Sequence, residues 1–389
     1  MNRNQSFLDL PISSLGYGCY GLSGAYGAKL TESEMIRVLQ KAYALGIRYF
    51  DTSSSYTSTE EILGKAIESF RHEITIASKV GLTKDNMTNL SRKFVKLSCE
   101  SSLKKLKTDY IDIYQVHFHD PNTLIKETIE ALEELKREGK IRYYGIGHLP
   151  VEKTIEYLDY GNISFVLAEM SPVNTFRYKE LNYLKNNYDF NIIAFSITGR
   201  GLLSGAISSD TKFLDTDIRN MDPLFKRARI TSALRTAEKL KEIGIRHGKT
   251  SAQVAISWTV KNPSVIVGLT GPTKIEHLEE NSVTLNWSLD KSEIEEINQF
   301  VEKEEYTLKK ELYEEVNYIL TSPSNAFEQS YKDLIYVLEH CIENRFIKYE
   351  DGINIYMKII KNKNSNTKSL DTLNEIKWQV KSLVNYECF

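Results

Sequence analysis

The sequence predicts an α/β fold, a closed (β/α)8 TIM barrel followed by an additional C-terminal helical extension. Three observations lead there. From Leu15 to about Leu285, eight short β-rich runs alternate with amphipathic helical stretches, each unit spanning about 30 residues. Polar residues close three successive apolar runs: Asp51 after Ile47–Phe50, Lys79 after Ile74–Ser78, and His117 after Ile111–Val116. As parallel barrel strands, these runs bring all three groups to the C-terminal mouth, where barrel enzymes do their chemistry. Finally, Gly21-Leu22-Ser23-Gly24-Ala25-Tyr26-Gly27 forms a loop before the helix at Thr31. An open doubly wound sheet calls for a tight G-x-G-x-x-G turn at that place instead.

The elements follow in order. Strand Leu15–Tyr20 leads to helix Glu32–Leu45, Arg48–Asp51 to Glu60–Ser69, and Ile74–Lys79 to Ser91–Leu106. Ile111–His117 leads to Leu124–Glu138 and Arg142–Gly147 to Val151–Tyr160. Phe165–Ala168 precedes Lys179–Asn187, Ile192–Phe195 precedes Ser232–His247, and Val265–Gly268 precedes Lys274–Asn281. The connection from Gly199 to about Thr231 is far longer than the usual few residues and lies on the mouth side, placed to fold over a ligand. Past Ser288 come helix Lys291–Glu302, a break at Ser322-Pro323-Ser324-Asn325, and helices over Ala326–Asn344, Tyr349–Lys361 and Leu370–Val384. Leu334, Ile335, Leu338 and Cys341 recur at helical spacing, so this tail reads as folded. The domains are then a barrel over 1–304 and a helical extension over 305–389.

Composition narrows the function. A net charge of -2 offers no basic excess to release counterions, which argues against nucleic acid as a partner. No apolar run approaches the ~20 residues of a membrane helix, so no membrane partner is expected. MNRNQSFLDL lacks the apolar core of a signal peptide, which makes a cytoplasmic address the expectation. Cys19, Cys99, Cys341 and Cys388 are scattered without a C-x-x-C, so neither a metal site nor a disulfide framework is expected. The oligomeric state is not legible.

The chemistry sits in a quartet: Asp51, Tyr56, Lys79 and His117. An acid, a phenol, an ammonium and an imidazole at one mouth point to proton transfer. A tyrosine hydroxyl titrates near pH ~10 in water and is a poor donor at neutral pH. A cation beside it lowers that value; Lys79 supplies one, with Asp51 keeping Lys79 ionised and in place. Late in the chain, Thr273-x-x-Glu276 has capping-box spacing, so Thr273 is expected to start a helix at the mouth. Such a terminus favours a phosphate.

Several segments carry a resemblance. Phe50-Asp51-Thr52-Ser53-Ser54-Ser55-Tyr56 followed by Glu60-Glu61-Ile62-Leu63-Gly64-Lys65-Ala66 is similar to the signature of the aldo-keto reductase superfamily. Leu15–Gly27, Ile76–Lys79, Gln115–His117, Gly139–Gly147 and Gly199–Gly205 agree with it, in order, across roughly residues 7–302. The resemblance implies an NAD(P)H-dependent barrel oxidoreductase that interconverts a carbonyl (aldehyde, ketone or sugar-like) and an alcohol. By motif, Tyr56 is the general acid, Lys79 and Asp51 tune it, and His117 orients the carbonyl. The implied dinucleotide site takes Cys19, Tyr20, Ser196, Gly199, Arg200, Leu202, Gly271, Thr273, Lys274, His277, Glu280 and Asn281, with Glu280 and Asn281 toward the adenine. Phe195 stands where an aromatic stacks on the nicotinamide. The chain departs from the family where Ser-Asn usually holds the nicotinamide amide: here it has Gly147-His148, and His148 takes over that role by inference. The usual Gln after strand six is Leu167, with Glu169 as its polar neighbour. Where relatives place an arginine for a 2′-phosphate, this chain has His277, with Lys274 nearby; NADP(H) is expected over NAD(H). The alternative reading is a cofactor-binding regulatory subunit with little turnover.

Overall fold

Eight short strands close on themselves, each hydrogen-bonded in parallel to the next. They are β1 (Leu15–Gly18), β2 (Tyr49–Asp51), β3 (Thr75–Val80), β4 (Ile111–Val116), β5 (Ile141–Gly147), β6 (Phe165–Glu169), β7 (Asn191–Phe195) and β8 (Val265–Thr270). The computed structural model describes residues 9–83, 85, 87–147, 149–323, 326–343, 347–364 and 369–384. In chain order the helices are α1 (Glu32–Ala44), α2 (Thr59–Ala66), α3 (Arg92–Leu106), α4 (Ile125–Arg137), α5 (Val151–Tyr160), α6 (Phe176–Leu184) and α7 (Arg227–Ile245). Then come α8 (Ser251–Val260), α9 (Ile275–Ser282), α10 (Lys291–Thr321), α11 (Phe327–Glu343), α12 (Tyr349–Asn364) and α13 (Leu370–Leu383). The alternation thus closes as a (β/α)8 barrel with further C-terminal helices.

Side-chain alternation explains where the chemistry goes. Tyr49, Ala77, Ile113, Phe165, Leu167, Ile193, Val267 and Leu269 come from six strands yet form one buried cluster with Leu10. Residues on so many strands can meet only across the barrel interior. Successive side chains alternate faces, so two residues further along each strand lies the next inward position. Those positions are Asp51 on β2, Lys79 on β3, Gln115 on β4 and then His117 just past its end. They form the rows above the apolar plug.

Three expectations need correction. α8 was not expected: Ser251–Thr259 are all buried, so the helix has no polar face and no amphipathic pattern to betray it. A capping box, Thr250 with Gln253, starts it. The helix expected to end at Glu302 runs on to Thr321, because Leu308, Leu312 and Val316 continue an apolar stripe. And α6 begins at Phe176, three residues before the expected Lys179.

The chain divides into two compact units, Met1–Asn220 with Thr236–Ile297, and Met221–Arg235 with Asn298–Phe389. The second is organised around Leu312, Val316, Leu334, Leu338, Cys341, Ile359, Leu373 and Val380, all buried. Within it, Arg235 donates to Glu304 at 2.8 Å and to Glu311 at 3.0 Å, and Arg227 pairs with Asp333. Residues 221–235 therefore belong with the tail helices, although the sequence places them in the mouth-side insertion. Among the described residues, no helix is long and apolar enough to cross a membrane, and no group of His, Cys, Asp or Glu is placed to hold a metal ion.

Candidate active site

The loop after β2 is tied down before it delivers Tyr56. Ser54 Oγ donates to the Lys79 carbonyl at 3.0 Å, Thr52 and Thr59 share a hydroxyl hydrogen bond of 2.8 Å, and the Tyr56 amide donates to Ser53 O at 3.1 Å. Every one of these contacts is made by a small hydroxyl residue of the run Thr52-Ser53-Ser54. The run is therefore a scaffold for Tyr56 and the reason that stretch is so rich in Ser and Thr.

Lys79 is completely buried, and its ammonium donates to Asp51 Oδ1 and, at 2.8 Å, to the Thr52 carbonyl. It lies 5.0 Å from the centre of the Tyr56 ring. The His117 amide extends the β4 ladder to Val80 O at 2.8 Å, and its Nδ1 sits 3.3 Å from Ser53 Oγ. Its ring meets Tyr56 edge-on with centroids 5.7 Å apart. Tyr20 completes the wall, 5.0 Å from Tyr56 and 5.7 Å from Tyr26. The four residues picked from sequence are thus brought together.

The electrostatics differ from the expectation. Burial pushes the Tyr56 hydroxyl well above its ordinary value, and Asp51, Tyr20 and Cys19 push it the same way. Among the described residues Tyr56 makes no hydrogen bond to Lys79, whose ammonium is turned to Asp51 and Thr52 O. The cation was expected to make the phenol more acidic; here desolvation outweighs it. Burial likewise raises the Asp51 carboxyl, and the adjoining Lys79 ammonium pulls it back. Cys19, wholly buried, is held protonated by the same desolvation and by Asp51. The phenol is therefore protonated across the neutral range.

The second half of the mouth lies past β7 and β8. Ser196, Gly199, Arg200 and Gly201 all have positive φ (55°, 58°, 53° and 96°). The Gly199 and Gly201 amides close turns on Ser196 O at 2.7 Å and Thr198 O at 3.1 Å, so this conformation is fixed by hydrogen bonds within the loop. Arg200 grips Glu169 with both guanidinium nitrogens, at 2.6 and 3.0 Å. Leu202 is buried, so any contact it makes with a ligand runs through its backbone. Phe195 is half-buried at the end of β7.

Gly271 abuts β1: a Cβ there would lie 2.3 Å from Gly18 O, so only glycine lets the two strand ends meet. Tyr17 Oη donates to Pro272 O at 2.9 Å, further fastening this segment beside Cys19 and Tyr20. The helix that follows starts one residue later than expected. Lys274 is the N-cap of α9, and no side chain caps it. Thr273 therefore does not form a capping box with Glu276, because the helix start has moved past it. The first-turn amides are left for an outside acceptor. Lys274 and His277 are exposed, and neither forms an ion pair among the described residues. Asn281 is turned inward to Thr270 Oγ1 at 2.8 Å, and Glu280 accepts from Thr250 Oγ1 at 2.6 Å. His148 lies outside the described residues. The sequence reading missed Ser53 as the partner of His117 and did not connect Glu169 to Arg200. Only the hydroxyl-rich run beside Asp51 hinted at the first.

Comparison with known proteins finds relatives over the barrel residues. The profile of the Aldo/keto reductase family matches residues 14–302. The aldo-keto reductase str7 of Strobilurus tenacellus is 30% identical over 304 residues, covering 76% of this chain and 90% of that one. The aldo-keto reductase YhdN of Bacillus subtilis (strain 168) is 31% identical over 305 residues, covering 75% and 91%. Among solved structures, the glycerol dehydrogenase AKR11B4 from Gluconobacter oxydans has the same fold, with a TM-score of 0.67 at 24% identity over 76% of this chain and 92% of that one.

Proposed function

The chain belongs to the aldo/keto reductase family of NAD(P)-dependent oxidoreductases, and from that premise we propose that it interconverts a small-molecule carbonyl and the corresponding alcohol with Tyr56 as the general acid and base. The observation that carries the proposal is the buried Lys79–Asp51 pair beside the ring of Tyr56, with His117 against that ring's edge.

The mouth fits a dinucleotide. The uncapped start of α9 offers backbone N–H groups to a phosphate, and Lys274 and His277 add side-chain donors there. A nicotinamide dinucleotide, when bound, supplies the hydride to the carbonyl carbon or receives it from the alcohol. Tyr56 gives its proton to the carbonyl oxygen as that oxygen becomes an alkoxide. The O–H bond of the phenol breaks and the alcohol O–H forms. The phenolate left behind faces the Lys79 ammonium, which stabilises the charge just when it appears. A phenol that burial keeps protonated is loaded for reduction at neutral pH. His117, its ring held by Ser53, orients the carbonyl. The preference is for NADP(H), because the exposed Lys274 ammonium and the His277 ring at α9 suit a 2′-phosphate.

The substrate is an aldehyde, ketone or sugar-like carbonyl. A carbonyl panel read by NADPH absorbance tests the proposal: oxidation of NADPH in the intact chain, lost in Tyr56→Phe, supports it, and equal rates in both chains refute it.

A further inference from the structure

One unexplained polar group inside the barrel is Gln115. It is fully buried on β4, faces the interior, and neither its carboxamide oxygen nor its nitrogen has a hydrogen-bond partner among the described residues. It is the register partner of Lys79 and lies two residues before His117 on the same face. On β2, two further inward atoms share this condition: Asp51 Oδ2 and the Tyr49 hydroxyl are buried without a partner among the described residues. In barrels of this kind, inward side chains of alternate strands share a layer. By register Asp51 lies beside Ala77 and Ile113, one inward step before Lys79 and Gln115, so the unpaired atoms of β2 and β4 flank the strand that carries Lys79. Buried polar groups in folded proteins are hydrogen-bonded to protein or to ordered water. An internal water that meets two or more polar partners is a stable part of a fold.

We propose that Gln115 is a positioning residue of the reaction: its carboxamide and Asp51 Oδ2 share an ordered internal water that holds the Lys79–Asp51 pair in place beneath Tyr56. The inference rests on the reading of the quartet above and adds a residue to it. Gln115 touches neither substrate nor cofactor; it acts through the ion pair. Without the shared water, the second oxygen of Asp51 loses its only donor and the carboxylate is free to tilt. Lys79 then moves with it, away from the position where it meets the phenolate. Ionisable groups that act on Asp51 or Lys79 include Tyr49 from β2, Tyr56 from the loop after β2 and Cys19 beyond β1.

Gln115→Met keeps the volume and the fold but leaves Asp51 Oδ2 without its shared water, so Tm is expected to fall by a few degrees. Losing one hydrogen bond to the ion pair is expected to lower kcat about tenfold, while KM and the Kd for NADPH stay as in the parent chain. Gln115→Asn keeps a carboxamide that a shifted water still reaches, and is expected to recover most of the rate. The measurements are made on the full chain with NADPH and an aldehyde panel that includes benzaldehyde and glyceraldehyde. Parental kcat in Gln115→Met overturns the proposal, and so does a failure of both variants to fold, which marks Gln115 as structural. An Asn variant no faster than the Met variant overturns it too. If the parent chain reduces no carbonyl, the reading of the quartet fails, and the shared water is then tested by Tm alone: Gln115→Met lowers it and Gln115→Asn recovers it, whereas an unchanged Tm in Gln115→Met overturns the proposal.

Discussion

Lys79 and Asp51 form an ion pair wholly inside the barrel, where the ends of β2 and β3 meet. Taking two charges out of water is costly, and the pair is sustained because each partner compensates the other and Thr52 O takes a second Lys79 proton. The consequence is asymmetric: the pair resists loss of one member far more than loss of both.

Lys79→Met therefore strands a buried carboxylate and is expected to destabilise the protein by about 3–5 kcal/mol. Adding Asp51→Asn is expected to restore much of that stability without restoring activity. Urea denaturation of the two variants checks this. Additive losses in the double variant speak against coupling between the two residues.

Cofactor preference turns on α9. Lys274→Ala with His277→Ala removes the exposed side-chain donors beside its uncapped start. NADPH is expected to bind about tenfold more weakly, a loss of roughly 1.4 kcal/mol, while NADH binding is little changed. Titration of dinucleotide binding by fluorescence gives the ratio; an unaltered ratio places the 2′-phosphate elsewhere.

Alkaline stability follows from three fully buried phenols. Burial holds Tyr17, Tyr49 and Tyr114 protonated well above the ordinary tyrosine value. The folded chain keeps these protons after the unfolded chain has lost them. Stability is thus fully present below pH ~10 and is lost as pH rises beyond it. Chemical denaturation between pH 8 and pH 11 is expected to show a flat region and then a decline, and a flat profile throughout runs against this assignment.

What could be read in the sequence was set by short-range pattern. Asp51, Lys79 and His117 stood out because each ends an apolar run, and period-two alternation does the rest: once one inward residue is known, the others on that strand follow. The same rule applied to His117 points to Gln115, two residues earlier, whose amide looks ordinary until its partners are sought. The Arg200–Glu169 pair joins the segment after β7 to the end of β6, and no spacing announces it. Helix α8 escaped because burial on all sides leaves no polar stripe, and α9 starts a residue late because capping potential at Thr273 does not decide which residue takes the cap. The acidity of Tyr56 was misjudged for a different reason. A neighbouring charge can be inferred from sequence, whereas the depth of burial that opposes it belongs to the folded chain.

The central claim is that Tyr56 is the proton donor. Single-turnover carbonyl reduction by Tyr56→Phe, measured beside its Kd for NADPH, tests it most directly. A rate lowered by about 10²–10⁴-fold with parental NADPH affinity is the predicted result, and reduction at the parental rate contradicts it.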